Sequence, residues 1–221
     1  MAKRLVLYVL GLFFLSLGVS FSIQADLGVS PVSSLPYALS LSTGMKIGMM
    51  TVATNILFII VGSILTKSFI VKEVVGQLII SFLFGGFMDL TLLLVQIFPA
   101  PQTIGMKIIF LLISLFVVAV GLLGYFNAKL PLMPYDALTY AISARFKMIF
   151  SKAKITSDLL NVCVAGAVCL IFVHSLGAIG VGTVIAAYFI GKILGWMTKL
   201  YEVPLKEWLW AKPQEELSKI N

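Results

Sequence analysis

A chain of 221 residues that is 60% hydrophobic and 11% charged, with a mean hydropathy of +1.09, cannot bury its apolar side chains in a water-soluble core; its solvent is a bilayer. The net charge of +7 does not point to nucleic acid, because the basic residues are scattered between apolar runs rather than gathered on a polar domain. Cys163 and Cys169 share one apolar segment with no His or acid at ligand spacing, which speaks against a metal site, and two cysteines so placed on a helix cannot form a disulfide.

Met1 to Ala25 opens with Lys3-Arg4 and continues as an apolar run ending in small residues, a pattern shared with secretory signal peptides. Its last third recurs later in the chain, so it is read as a retained first membrane helix. Leu17–Ser40 and Val120–Ser143 align without a gap. Gly18, Ala25, Leu27, Pro31, Leu35, Tyr37, Ala38 and Ser40 meet Gly121, Ala128, Leu130, Pro134, Leu138, Tyr140, Ala141 and Ser143. After a three-residue insertion in the second copy, Asn55 aligns with Asn161. Val75-Gly76-Gln77-Leu78-Ile79 aligns with Val181-Gly182-Thr183-Val184-Ile185, and Gly85 with Gly191.

Apolar segments near the ~20 residues that a bilayer requires run at Leu5–Gln24, Ile47–Leu65, Val74–Phe98, Lys107–Asn127, Ile155–Val173 and Ala178–Lys199. Between the first and second span of each half lies a shorter segment, Pro31–Ser42 and Pro134–Phe146, too short to cross. Proline at the first helical position is well placed, since its missing N–H has no partner there. The expected fold is therefore all-α: six transmembrane helices in two repeats of three, residues 1–102 and 103–200, each with a short proline-initiated helix that is re-entrant or interfacial. Residues 201–221, with Trp208 and Trp210 among charges, are expected to form a cytoplasmic amphipathic tail.

The positive charges set the orientation. With the amino terminus in the cytoplasm, only Lys46 and Lys107 of the 16 lysines and arginines fall outside, and Lys192 falls within the last span. Both termini are then cytoplasmic. Three spans per repeat force the second copy into the membrane inverted relative to the first, the recurring plan of secondary transporters, with a binding site expected where the repeats meet.

The turn Asp26-Leu27-Gly28-Val29-Ser30-Pro31, the run Met133-Pro134-Tyr135-Asp136-Ala137-Leu138, and Val181-Gly182-Thr183-Val184-Ile185 leading to Gly191 resemble the YczE/YyaS-type integral membrane proteins of bacteria, grouped near the YitT proteins. The likeness covers the chain to about Tyr201. It implies a bacterial cytoplasmic-membrane protein of the permease kind and supplies no substrate. The family's pattern of glycine, then proline, an aromatic and aspartate is met from the proline on by Pro134-Tyr135-Asp136 in the second copy, whereas the first has Pro31-Val32-Ser33.

No catalytic constellation, Walker loop or His-Glu metal motif is visible, so no enzyme activity or cofactor is expected. His174 reads as an exposed loop residue. Ionisable residues inside spans are costly unless they face a cavity or partner. Asp89 is a candidate coupling carboxylate, and Lys192 a candidate counter-charge for an anion. Asp136 sits in the first turn of a proline-opened helix, where the free N–H groups favour a carboxylate, so it reads either as a capping acid or as a substrate-binding or coupling group. In the functional reading Asp136 and Tyr135 face Ser33 and Ser34 across the repeat axis. Asp158, after Thr156-Ser157, reads as a helix cap. Asn55 with Asn161, and Gln77 with Thr183, read as interhelical hydrogen bonds or a symmetric polar lining. Gly76, Gly85, Gly86, Gly182, Gly191 and Gly195 suggest that the third and sixth spans approach closely.

The functional expectation is a small permease moving a small polar or anionic organic solute, with the bilayer as surroundings and chain size favouring a homodimer. The alternatives are a substrate-binding subunit that needs an energising partner, and a non-transporting membrane protein that regulates a partner enzyme.

Overall fold

The computed structural model of the chain describes residues 1–210. It is helical throughout: α1 (Ala2–Ala25), α2 (Pro31–Thr43), α3 (Ile47–Thr66), α4 (Val71–Val95), α5 (Ile104–Asn127), α6 (Pro134–Arg145), α7 (Phe150–Val168) and α8 (Val181–Trp210). A π-helical turn, Cys169–Val173, extends α7 and ends on His174 in the left-handed region. Six of these helices are long and apolar enough to cross a membrane, which makes this a multi-pass membrane protein. The other two are the short helices α2 and α6. Each begins on a proline, Pro31 or Pro134.

The centre of the bundle is the pair α1 and α5. In lipid there is little hydrophobic drive between helices, so close packing of small residues must hold them. A methyl group added at Gly11 would lie 2.6 Å from the Tyr125 nitrogen, and one at Gly18 2.6 Å from the Val118 nitrogen, so the backbones touch where only glycine fits. Leu12, Leu15, Val19, Val118 and Tyr125 fill the seam, and Phe84 and Met88 of α4 close it. Around this pair α4 packs on α1 and α8 on α5, while α2 packs on α7 and α6 on α3. Each short helix thus lies on a span from the other half of the chain.

The glycine expectation for the third and sixth spans is corrected. Gly85 of α4 meets Gly48 of α3, and Gly182 of α8 meets Leu27 and Gly28, while a methyl added at Gly86, Gly191 or Gly195 would have no other element within 4 Å. Small residues mark a close approach only on the face that a partner covers. α8 continues past Tyr201 and through Pro204 to Trp210, and near its end the Trp208 carbonyl accepts a hydrogen bond from Lys3 Nζ at 3.2 Å. The rest of the expected tail, residues 211–221, lies outside the described residues.

Candidate functional site

The richest polar cluster lies at the end of the bundle that carries the amino terminus of α1, where the chain leaves α5 and turns back into α6. Tyr8 donates to the Pro131 carbonyl at 2.7 Å, and Tyr125 accepts the Met133 N–H at 2.6 Å while donating to Asp136 Oδ2 at 3.1 Å. These bonds fold the 130–133 segment back against α1 and α5. Asp136 is only 9% exposed, in the first turn of α6. Burial raises its carboxyl above the ordinary value, opposed by the charge of Lys154 and the Tyr125 hydroxyl.

A second limb of the cluster joins α6 to α7. Tyr135 donates to Asp158 Oδ1 at 2.5 Å, Lys154 Nζ reaches the same oxygen at 2.9 Å, and the ammonium sits 4.4 Å from the centre of the Tyr135 ring. Asp158 is therefore not a helix cap: α7 begins at Phe150, more than a turn earlier than Ile155, which brings Lys154 onto the helix face one turn before Asp158. Tyr8, Tyr125, Lys154 and Asp158 were not legible as site residues. A tyrosine within an apolar span carries no signal in one dimension, and only the return of the 130–133 segment gives each hydroxyl its partner.

The other expected site residues divide. Ser33 accepts from Ser30 at 3.3 Å and Ser34 donates to the Pro31 carbonyl at 2.7 Å, so both make hydrogen bonds within their own helix start. Asn161, midway along its span, donates to the carbonyls of Pro31 at 2.6 Å and Val32 at 3.4 Å. Its aligned residue Asn55 is equally buried, yet Nδ2 has no hydrogen-bond partner. Hence the two amides do not play matching roles. Thr183 accepts from the Gly180 N–H at 3.2 Å at the start of α8. Asp89 accepts the Gly48 N–H at 2.8 Å and so caps the first turn of α3, where a methyl on Gly48 would strike it. Lys192 lies exposed on α8 with its ammonium 4.3 Å from the Tyr188 ring centre, on the outer surface of the bundle and away from the cluster. Position along a span told its depth; the face it occupies needs the packing.

Two cavities flank α6. One, about 110 Å³, lies between α3, α4 and α6, where Gln77, Glu73, Ser63 and Thr66 face Pro134 and Leu138. The other, about 520 Å³, is a groove between α2, α3, α6 and α7, lined by Leu35, Phe58, Leu138 and Leu160 with Tyr135 and Asn161. Among the described residues no group of three His, Cys, Asp or Glu side chains could hold a metal ion.

The profile of a family of unknown function, DUF6198, matches residues 2–199, nearly every helix described above. The chain belongs to that family. It is 30% identical over 189 residues to the uncharacterized protein YyaS of Bacillus subtilis (strain 168), an alignment covering 85% of this chain and 88% of that protein. The likeness to YyaS therefore holds, within a family whose description carries neither the YczE nor the YitT name. No solved structure matches.

Proposed function

We propose that this protein is a small secondary transporter of the bacterial cytoplasmic membrane, built from two inverted-topology repeats, with both termini cytoplasmic and a small polar or anionic organic solute as its substrate. The observation that carries the reading is the placement of the two short helices. Asn161, in the middle of a span, holds the first turn of α2 by its Pro31 carbonyl, so α2 starts deep in the bundle and runs outward beside α7. In the same way Leu138 of α6 lies against Gly62 of α3, and Pro134 lines the cavity with Phe58 and Ile59 farther into that helix. Two half-helices that open inside the membrane, each on a span of the other half, present their free N–H groups toward the interior. Broken helices of this kind, in corresponding positions of inverted halves, are where secondary transporters bind solute and ion.

In this reading the polar cavity beside Gln77 is the solute's path from the cytoplasm, and Asp136 is the proton-carrying group. Asp89 and Lys192 have no part in it: Asp89 caps α3, and Lys192 faces outward. Ser33 and Ser34 shape the start of α2 without touching solute. A homodimer remains part of the proposal, with the exposed face of α8 around Lys192 available to a second copy or to lipid.

The test is solute uptake by the purified protein in vesicles, driven by an imposed pH gradient, with candidates taken from a thermal-shift screen against small metabolites. Proton-driven uptake that Asp136→Asn abolishes supports the reading. A well-folded protein that binds nothing and moves nothing sinks it.

A further inference from the structure

Aligned positions at the two ends of the bundle are in opposite states. At the end bearing Asp26, the chain between α1 and α2 is bound to the chain entering α8. The Gly182 N–H donates to the Leu27 carbonyl at 2.7 Å and the Val29 N–H to the Ala178 carbonyl at 3.1 Å. A methyl on Gly182 would lie 2.7 Å from the Leu27 oxygen, so the two segments are in backbone contact. Asn161 completes this seal on the Pro31 carbonyl. At the opposite end the aligned segment 130–132 makes no backbone hydrogen bond to α4. Gly76, aligned with Gly182, has the Pro131 ring no nearer than 3.9 Å from its would-be methyl, and Asn55 Nδ2 is buried without a partner.

The spaces differ in the same sense. The polar cavity lies beside Ser63, Ala141 and Leu138. Of their aligned positions, Cys169 and Ala38 are fully buried in a core with Ala165 and Ala178 that Leu138 shares, while Leu35 also lines the larger groove. Cys169 is 0% exposed.

We infer that this structure is the inward-open state of a two-gate protein, with the Leu27–Pro31 segment and Asn161 forming a closed outer gate and the Leu130–Pro134 segment and Asn55 an open inner one. The inference rests on the transporter reading and on the inverted alignment. In the opposite state Asn55 donates to the Pro134 carbonyl, as Asn161 now does to that of Pro31, and the cavity beside Ser63 closes while the packing around Cys169 opens. An unpartnered amide costs free energy where it is buried, so its bond belongs to the other member of the pair of states.

The test uses cysteine labelling of the full chain in vesicles of defined sidedness, in a Cys163→Ser background, with a membrane-impermeant maleimide. In the native state, a cysteine introduced by Ser63→Cys should react from the cytoplasmic side, and Cys169 from neither. Asn161→Ala removes the outer gate's side-chain bond. It should raise Cys169 labelling from outside about fivefold, the population change that one net hydrogen bond brings, and should not raise labelling at position 63. Asn55→Ala removes a bond of the opposite state only, so it should leave position 63 reactive and Cys169 protected. If Asn161→Ala raises labelling at both positions, or leaves Cys169 protected, the gates are not reciprocal and the inference fails. Should Asn161→Ala not fold, Asn55→Ala still decides, because a rise in Cys169 labelling there also overturns it. Solute uptake in the same vesicles is a separate readout: reciprocal labelling without uptake keeps the gates and removes the transporter, and uptake without reciprocity does the reverse.

Discussion

The turns before α2 and α6 lie in two stretches that align without a gap, and they are held in opposite ways. The Asp26–Pro31 turn is centred on backbone contact: Gly28 at φ +94 is pressed against Gly180 and Thr183, with main-chain bonds to the chain entering α8 and side-chain bonds from Ser22, Lys107 and Asn161 around it. The Lys129–Pro134 turn is a matter of side chains. Pro131 stands where the first half has Gly28, and Tyr8, Tyr125 and the Asp136 carboxyl group hold the segment by side-chain hydrogen bonds. One end is fixed by close approach, which tolerates no added atom. The other is held by groups that can exchange protons and partners.

The sharpest way to break the comparison is to put one substitution at the two aligned turns. Gly28→Val forces a β-branched residue into the left-handed region and sets its Cβ 2.6 Å from Thr183 Oγ1. A loss of about 3 kcal/mol or more is expected in thermal unfolding of the detergent-solubilised protein. Pro131→Val meets no such neighbour, and its effect should stay within about 1 kcal/mol. Equal losses would mean that both turns are packed alike.

The next effect in size is at the side-chain-held turn. Tyr135→Phe removes the hydroxyl bonded to Asp158 while keeping the ring against Phe58 and Lys154. Hydrogen bonds to charged groups contribute about 1.5–3 kcal/mol, so a loss near the lower figure is expected in the same unfolding measurement. Val32→Ala, the aligned change in the first half, should remove only packing. Both effects lie within reach of ordinary thermal shifts.

How far the sequence already contained this arrangement depends on what each residue needs for recognition. The six spans were legible because length and hydropathy act along one dimension, and the short helices because Pro31 and Pro134 mark helix starts locally. Asp136 was legible for the same reason. Tyr8 and Tyr125 were not, since their partners lie 123 and 8 or 11 residues away across a turn whose path only packing decides. Lys192 and the pair Gly191 and Gly195 misled because spacing tells the depth of a residue in a helix but not which neighbour, if any, covers it. Asp158 misled because Thr156-Ser157 imitate a cap, while the helix had begun at Phe150.

Acid-base behaviour sharpens the contrast further, because Asp136 aligns with Ser33 and so only one half can titrate there. The folded-state carboxyl is raised by burial, so the native protein holds a proton that the unfolded chain releases above about pH 4. Its contribution to stability is therefore fully present below the unfolded value and is lost as pH rises through the folded one. Each unit of difference corresponds to about 1.4 kcal/mol. Asp136→Asn, a neutral group of the same shape, should flatten the fall on the alkaline side, while Ser33→Ala should leave the pH profile of unfolding unchanged. A native profile without that fall would mean the carboxylate keeps its charge in the fold.

The smallest expected effect separates the two halves most directly, because it uses one residue type at one aligned position. Asn161→Leu removes a donor from the Pro31 carbonyl and should cost about 1 kcal/mol, the net worth of a typical intramolecular hydrogen bond. Asn55→Leu deletes an amide whose Nδ2 already lacks a partner, in a helix face packed on α6. With no bond to lose and an unsatisfied polar group removed, the change should be neutral or stabilising in the unfolding measurement. Yet Asn55 occupies the position that its aligned residue uses for a bond, and a residue of no value to this state would serve another. Asn55→Leu should thus be silent or favourable in stability and, under the transporter proposal, still impair solute uptake. If it destabilises the protein as much as Asn161→Leu, the amide is satisfied in the resting protein, and the difference between the two ends disappears at this position.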